Sequence, residues 1–192
     1  HVLRGGERVA VYPMFEALDI APLVRLRPRP LRDPRFVADT HLGKLARHLR
    51  MAGFDTLYGN DWDDDRIVAL SRSERRTILT RDRAMLRRRE VERGYCVRAV
   101  RSEEQLAEVV GRFQLEGLVR PFTRCREDNA PLEEVAAEAV SDRVPEKVRA
   151  LYTRFKRCPA CGRVYWEGSH YDRMSRVIAR LRGDPRLAAS AE

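Results

Sequence analysis

Aspartates follow predicted strands at three places in the chain. Asp39 comes directly after the apolar residues 36–38, Asp82 follows the apolar segment 77–80, and a run of three aspartates at 63–65 opens the helix after another strand. Carboxylate oxygens are the ligands that Mg²⁺ and Mn²⁺ prefer, and such ions activate water and neutralise charge on a phosphodiester. If these carboxylates converge, the sequence predicts a metal centre for phosphodiester hydrolysis.

Each of these aspartates also has a purely structural interpretation. Asp39 can cap the helix that follows it, Asp82 can hold the turn after its strand, and the run at 63–65 can be a solvated helix start. Taken singly, the structural interpretation is the better one for each residue. The metal-site hypothesis depends on the carboxylates lying at one edge of the same sheet.

The predicted secondary structure places them at such an edge. Strands are predicted at 36–38, 56–58, 77–80 and 95–100, and helices at 41–52, 63–73, 84–89 and from 102 onward, where Ser102 and Gln105 have the spacing of a capping box. This alternation predicts an α/β fold with a parallel sheet and helices on both faces. Functional sites of such sheets lie outside the carboxyl ends of the strands.

The cysteines predict a second metal site of different chemistry. The pair Cys158-Pro-Ala-Cys161 has zinc-knuckle spacing, and Cys125 supplies a third thiolate. Asp128 stands where a fourth cysteine is expected, and His170 is another possible ligand. The site is therefore Cys3Asp, Cys3His, or degraded and metal-free, with structural Zn²⁺ as the favoured interpretation.

The charge balance favours a polyanionic partner. The chain of 192 residues has a formal net charge of +9, and binding to phosphates releases counterions. Lys44, Arg47, Arg50 and Arg81 are the candidates to contact RNA phosphates, although any single one of them can equally belong to a solvated face.

The protein is expected to be located in the cytoplasm. No apolar run approaches the roughly 20 residues of a membrane-spanning helix, and no secretory signal is visible at the start. With nothing to suggest secretion, a reducing compartment is favoured over a disulfide framework. No membrane association is expected.

Three motifs in order carry a resemblance to a known family. They are Asp39-Thr-His-Leu-Gly-Lys-Leu-Ala-Arg-His-Leu-Arg-Met-Ala-Gly-Phe-Asp55, Leu79-Thr-Arg-Asp82, and Cys158-Pro-Ala-Cys-Gly-Arg-Val-Tyr-Trp-Glu-Gly-Ser-His170. From about residue 35 to about residue 174, the chain resembles the Mut-seven C-terminal RNase domain family, whose members are PIN-like folds with a zinc ribbon.

The resemblance implies a ribonuclease that binds Mg²⁺ or Mn²⁺ through Asp39, Asp82 and one aspartate of the run. Asp64 is the first choice because it stands three residues before Ile67, the spacing of related PIN-like proteins, and Asp65 is the second. Asp128 departs from the family pattern, which has a cysteine there. That departure puts the zinc site in doubt and leaves the acidic residues unaffected.

The resemblance also divides the chain. Residues 1–24 resemble the end of a ubiquitin-like β-grasp domain, 25–34 are an Arg/Pro linker, 35–120 the PIN-like RNase domain, 121–182 the zinc-ribbon module, and 183–192 a flexible tail. The expected substrate is RNA, with transfer or ribosomal RNA as candidates. The alternative function is a non-catalytic RNA- or ribosome-binding protein that uses the ribbon and the basic surface. A toxin-like nuclease with a protein antitoxin is a third hypothesis, disfavoured by the long ribbon segment.

Overall fold

Two β-sheets organise the part of the chain described by the computed structural model, which covers residues 33–168 and positions 177 and 179. The first sheet is parallel, in the order β2-β1-β3-β4. Its strands are β1 (Arg35–Ala38), β2 (Asp55–Leu57), β3 (Thr77–Thr80) and β4 (Gly94–Cys96). The second is antiparallel and comprises β5 (Glu133–Val135), β6 (Phe155–Arg157) and β7 (Val164–Trp166).

Five α-helices accompany these strands in the described residues. They are α1 (Gly43–Met51), α2 (Asp64–Ser73), α3 (Arg83–Leu86), α4 (Ser102–Arg112) and α5 (Glu146–Leu151). Short 3-10 turns occur at Thr40–Leu42, Glu116–Leu118 and Ala137–Val140. The first of these turns exists because the Asp39 side chain accepts a hydrogen bond from the His41 amide, so the predicted helix 41–52 begins as a 3-10 turn.

Both faces of the parallel sheet are covered, which confirms the predicted α/β fold. Alternate residues of a strand point to opposite faces. Phe36 and Ala38 pack in one fully buried cluster with Leu45 of α1, and Val37 packs in a second cluster with Ile67 of α2. Burial of apolar side chains on both faces accounts for the continuous hydrophobic runs of these strands.

The end of β4 and the start of α4 both differ from the prediction, because side chains of α4 bond the backbone between them. The strand stops at Cys96, because the amides of Arg98 and Ala99 donate to the Glu108 carboxylate rather than to a neighbouring strand. The predicted capping box does not form either. Gln105 donates its side-chain amide to the carbonyl of Ala99, and the helix has no side-chain cap.

The loop 125–129 joins the two sheets. Arg50, buried in α1, donates to the carbonyls of Thr56, Arg126 and Glu127. The Asn129 side chain accepts a hydrogen bond of 2.9 Å from the amide of Thr56, on the outer edge of β2. The antiparallel sheet is thus fastened to the parallel sheet by buried polar contacts.

Asn129→Ala is expected to destabilise the chain by about 1–3 kcal/mol, because it leaves the buried Thr56 amide without an acceptor. The change also removes the 2.6 Å hydrogen bond from Asn129 to Asp55. Urea unfolding measures the effect. Asn60→Ala, which removes one exposed hydrogen bond from the Tyr58 hydroxyl, is the matched control expected to lose less than about 1 kcal/mol. Equal stability of the two variants would contradict the role of this joint.

Candidate functional site

Asp39 lies at the carboxyl end of β1, almost fully buried. Its Oδ2 accepts a hydrogen bond of 2.7 Å from the Thr80 hydroxyl, and its Oδ1 accepts one of 2.9 Å from Thr40. Burial acts to raise the pKa of Asp39, but hydrogen bonds from Thr80, Thr40 and His41 outweigh it, so the pKa lies below its usual value. Asp39 is therefore ionised at neutral pH.

Asp82 follows the carboxyl end of the neighbouring strand β3 and is linked to Asp39 through one residue. Its amide donates to the Thr80 hydroxyl at 2.9 Å, and this hydroxyl donates to Asp39. The Asp82 side chain caps α3 by accepting from the amide of Ala84. Two of the predicted carboxylates thus stand at the same edge of the sheet, with Thr80 between them.

The run of three aspartates lies at the start of α2, and each aspartate makes different contacts. Asp63 caps the helix by accepting from the amide of Arg66, Asp64 is exposed in the first turn, and Asp65 forms an ion pair with Arg88 at 2.5 Å. Asp39, Asp82 and Asp63 therefore each accept a hydrogen bond from a backbone amide at the start of a helical segment, as their structural interpretation predicts.

The predicted carboxylates do not form a closed cage. Among the described residues, the only group of three or more His, Cys, Asp or Glu ligand atoms within 4.8 Å of one another lies elsewhere. Mg²⁺ usually keeps several waters and needs only one or two carboxylates from the protein. The arrangement fits an open, hydrated site at Asp39 and Asp82 and does not fit an ion enclosed by all three.

A basic groove of 660 Å³ opens beside this edge. It contains three of the predicted RNA-contacting residues, Lys44, Arg47 and Arg81, which are all exposed. The other residues lining the groove are His41, Gly43, Tyr58, Asn60, Val100, Arg101, Ser102 and Gln105. Arg101 was not predicted from the sequence, because it reaches the groove only through the packing of α4 against α1.

Arg50 is not among the residues that line the groove, and its burial argues against the predicted RNA contact. Its side chain is 4% exposed, and its guanidinium donates to three backbone carbonyls. These contacts use the Nε and Nη1 donors of a guanidinium that is turned into the protein rather than toward the surface. Burial, the main cause, lowers the pKa of Arg50.

Cys125, Asp128, Cys158 and Cys161 come together as the one group of possible metal ligands among the described residues. Tetrahedral zinc with Zn–S bonds of about 2.3 Å requires sulfur atoms about 3.8 Å apart. The Sγ atoms of Cys125 and Cys161 are 3.8 Å apart, and Asp128 Oδ2 is 3.1 Å from Cys158 Sγ. The four residues predicted from the spacing therefore form a Cys3Asp cluster that can bind a metal ion; His170 lies outside the described residues.

The surroundings of this Cys3Asp cluster hold its ligands in place. The Tyr165 hydroxyl is 3.0 Å from Cys125 Sγ and accepts a hydrogen bond from the amide of Arg126. Burial raises the pKa of the Cys158 thiol to about 12 in the metal-free chain. Hydrogen bonds from the cysteine thiols lower the pKa of Asp128, and the bond from Cys161 has the largest effect. Asp128 is therefore a carboxylate at neutral pH.

A family model described as Mut7-C RNAse domain matches residues 34–178. The chain belongs to the Mut7-C RNase domain family. No curated protein and no solved structure gives a significant match. Membership of the Mut7-C family supports a nuclease-type function with RNA as the substrate and a divalent metal as the cofactor.

The Mut7-C match at residues 34–178 does not cover all of the segments into which the sequence was divided. The predicted β-grasp end at 1–24 and the tail at 183–192 lie outside the described residues, as does most of the linker at 25–34. In the part of the chain that the structure describes, no helix is long and apolar enough to cross a membrane.

Proposed function

We propose that this chain is a metal-dependent ribonuclease whose active site is the carboxyl edge of the parallel sheet. One observation carries the proposal: the Thr80 hydroxyl joins Asp39 and Asp82 at the ends of adjacent strands, beside the basic groove. Hard carboxylate oxygens next to cationic side chains suit a reaction that hydrolyses a phosphodiester.

Asp39 and Asp82 are the residues that would bind Mg²⁺ or Mn²⁺, with Asp64 as the third carboxylate and Asp65 as its alternative. The ion, when bound, supplies an activated water and neutralises charge on the phosphate. Thr80 orients Asp39 and keeps it ionised. The three carboxylates do not all lie within 4.8 Å of one another, so exposed Asp64 would contact the ion through a water or after its side chain moves.

RNA would lie in the basic groove, where the cations contact its phosphates. Lys44→Gln and Arg81→Gln are each expected to weaken RNA binding at low salt and to reduce the slope of log affinity against log salt by about 0.7. Fluorescence anisotropy over a salt series measures this slope. Arg72→Gln, an exposed arginine of α2, is the matched control expected to keep the slope of the unmodified chain. An unchanged slope in both groove variants would contradict RNA binding here.

For the Cys3Asp cluster we propose structural Zn²⁺. Three thiolates and one carboxylate at tetrahedral spacing match the soft and borderline ligands that zinc accepts, and four protein ligands leave no open position for catalysis. The ion would hold the loop 125–129, which connects the two sheets.

A second function is favoured by one specific observation. The oxygens of Asp39 are already occupied by internal hydrogen bonds, and Asp63 and Asp82 cap helices. These contacts alone would explain the aspartates in a non-catalytic RNA- or ribosome-binding protein. Such a protein binds RNA in the groove with steep salt dependence and does not cleave it.

The deciding experiment measures RNA cleavage by the zinc-loaded chain with and without added Mg²⁺ or Mn²⁺. Omitting the ions, rather than adding a chelator, leaves the Cys3Asp cluster undisturbed. The proposal expects cleavage only with the added ion, and loss of cleavage with retained RNA binding in Asp39→Asn and Asp82→Asn. Full activity of both variants would overturn it, and binding without cleavage by the unmodified chain would establish the second function.

A further inference from the structure

A cleft with aromatic walls lies where the antiparallel sheet meets α1. Its volume is 240 Å³, below the range of about 300–1,000 Å³ that holds drug-sized ligands. Its walls include Met51, Phe122, Arg126, Arg163, Tyr165 and Trp166. We call it the aromatic cleft; the proposed active site does not include it.

The side chains of the aromatic cleft combine flat apolar faces with cations. Phe122, Tyr165 and Trp166 supply rings, and Arg126 and Arg163 supply two guanidinium groups against the one carboxylate of Glu127. Nucleobases in single strands stack on aromatic rings or on arginine planes, while the adjoining phosphates are held by cations. An aliphatic ligand would make no use of the two arginines, whereas a nucleotide uses both the rings and the cations.

The walls are fixed before any ligand arrives. The Tyr165 hydroxyl is anchored between Cys125 Sγ and the amide of Arg126. Trp166 packs partly against the core around Phe155, and a side chain at Gly168 would come within 2.7 Å of its ring nitrogen. A rigid, half-exposed ring loses little entropy on binding, which favours stacking.

Helix α1 connects the aromatic cleft to the basic groove. Lys44, Arg47 and Met51 have the spacing i, i+3, i+7 and so share one face of the helix. Lys44 and Arg47 line the groove and Met51 lines the cleft. Lys44 and Met51 are seven positions apart, which corresponds to about 10 Å along the helix. Glu127 of the cleft pairs with Arg47 of the groove at 3.3 Å, so the two sites are contiguous.

We infer that the aromatic cleft binds an unpaired base of a single-stranded RNA whose backbone follows α1 from the basic groove. The inference rests on the proposed function, since it extends the RNA path that leads to the acidic edge. It assigns the antiparallel sheet a role in selecting single-stranded over duplex substrate, because a paired base cannot enter a cleft of this size.

The test uses the full chain without added Mg²⁺ or Mn²⁺, so that binding is measured apart from cleavage. The sequence has two tryptophans, and Trp62→Phe leaves Trp166 as the sole reporter. A single-stranded RNA of about 12 nucleotides is expected to quench Trp166 fluorescence, and the corresponding duplex is expected to leave it unchanged. No quenching by the single strand, or equal quenching by the duplex, would overturn the inference.

Two variants make the result quantitative. Trp166→Leu keeps an apolar side chain but removes the π face, and is expected to weaken binding of the single strand about 5- to 150-fold. If circular dichroism shows that this variant is unfolded, Arg126→Gln decides instead: it should weaken binding and lower the salt slope by about 0.7, with Arg72→Gln as control. Unchanged affinity in a folded variant overturns the inference. Cleavage lost in Asp39→Asn would still stand as evidence for the proposed function.

Discussion

Asp39→Asn is expected to lower RNA hydrolysis by at least about 100-fold while RNA binding stays close to that of the unmodified chain. The substitution removes the charge that a divalent ion requires. It also replaces one of the two carboxylate oxygens, which accept from Thr80 and Thr40, with an amide nitrogen that cannot accept a hydrogen bond. Single-turnover cleavage at saturating Mg²⁺ measures the loss, and anisotropy without the ion measures binding.

Asp142→Asn is the matched control, because Asp142 is an exposed carboxylate far along the chain with only a neighbouring arginine as ion-pair partner in the described residues. It should cleave RNA at the rate of the unmodified chain. Comparable rates in Asp39→Asn and Asp142→Asn would remove Asp39 from the active site.

Asp39 is also expected to make the stability of the folded chain depend on pH, an effect that can be measured without any assay of catalysis. The folded pKa of Asp39 lies below its ordinary value of 3.8, so the folded state binds its proton less readily than the unfolded state. Its contribution to stability is therefore fully present above about pH 3.8 and is lost as the pH falls through the folded pKa. Urea unfolding between about pH 5 and pH 2 should show a shallower loss of stability in Asp39→Asn.

The second large effect is expected from Cys158→Ser, which should abolish stoichiometric zinc binding and melt the antiparallel sheet. Structural zinc sites in small domains contribute about 10–16 kcal/mol at neutral pH, more than the small core around Phe155 can replace. Elemental analysis of the purified chain and thermal unfolding followed by circular dichroism measure the two effects.

Cys96→Ser provides the control for this experiment. Cys96 is the one cysteine of the sequence that is not in the Cys3Asp cluster, and it lies half-buried on β4. It should keep one zinc per chain. A zinc-free chain purified from zinc-supplemented cells, or a Cys158→Ser chain with full zinc content, would contradict the assignment.

Asp128 allows a graded version of the same measurement. Asp128→Cys provides a fourth thiolate, a softer ligand than carboxylate, and should slow the loss of zinc to a chelator relative to the unmodified chain. Asp128→Ala removes the ligand and should speed that loss. The order Cys, Asp, Ala in zinc retention would identify Asp128 as a direct ligand.

The metal cluster and the strands were predictable because their information is local. Zinc-knuckle spacing brings Cys158 and Cys161 onto one turn, and Asp128 lies three residues after Cys125 like the cysteine it replaces. Strand β3 was predicted with its observed ends, since its four residues are all buried and two threonines flank an apolar pair.

Other features depend on partners distant in sequence. Arg50 looks like a surface cation, and its burial follows from carbonyls at 126 and 127, which no pattern around α1 reveals. Ser102 and Gln105 have the spacing of a capping box, but Gln105 donates to the carbonyl of Ala99 instead. Asp39 and Asp82 share an edge, while the separation of the three predicted carboxylates depends on side-chain hydrogen bonds that strand order alone does not fix.

The contact between Asn129 and Thr56 has a consequence for any attempt to shorten the chain. Strand β2 is an edge strand of the parallel sheet, and an uncovered edge is a template for pairing with another molecule. A fragment ending near residue 120 would expose that edge and deprive the Arg50 guanidinium of two of its carbonyl acceptors. We expect such a fragment to self-associate, since its β2 edge would be free to pair with a second molecule.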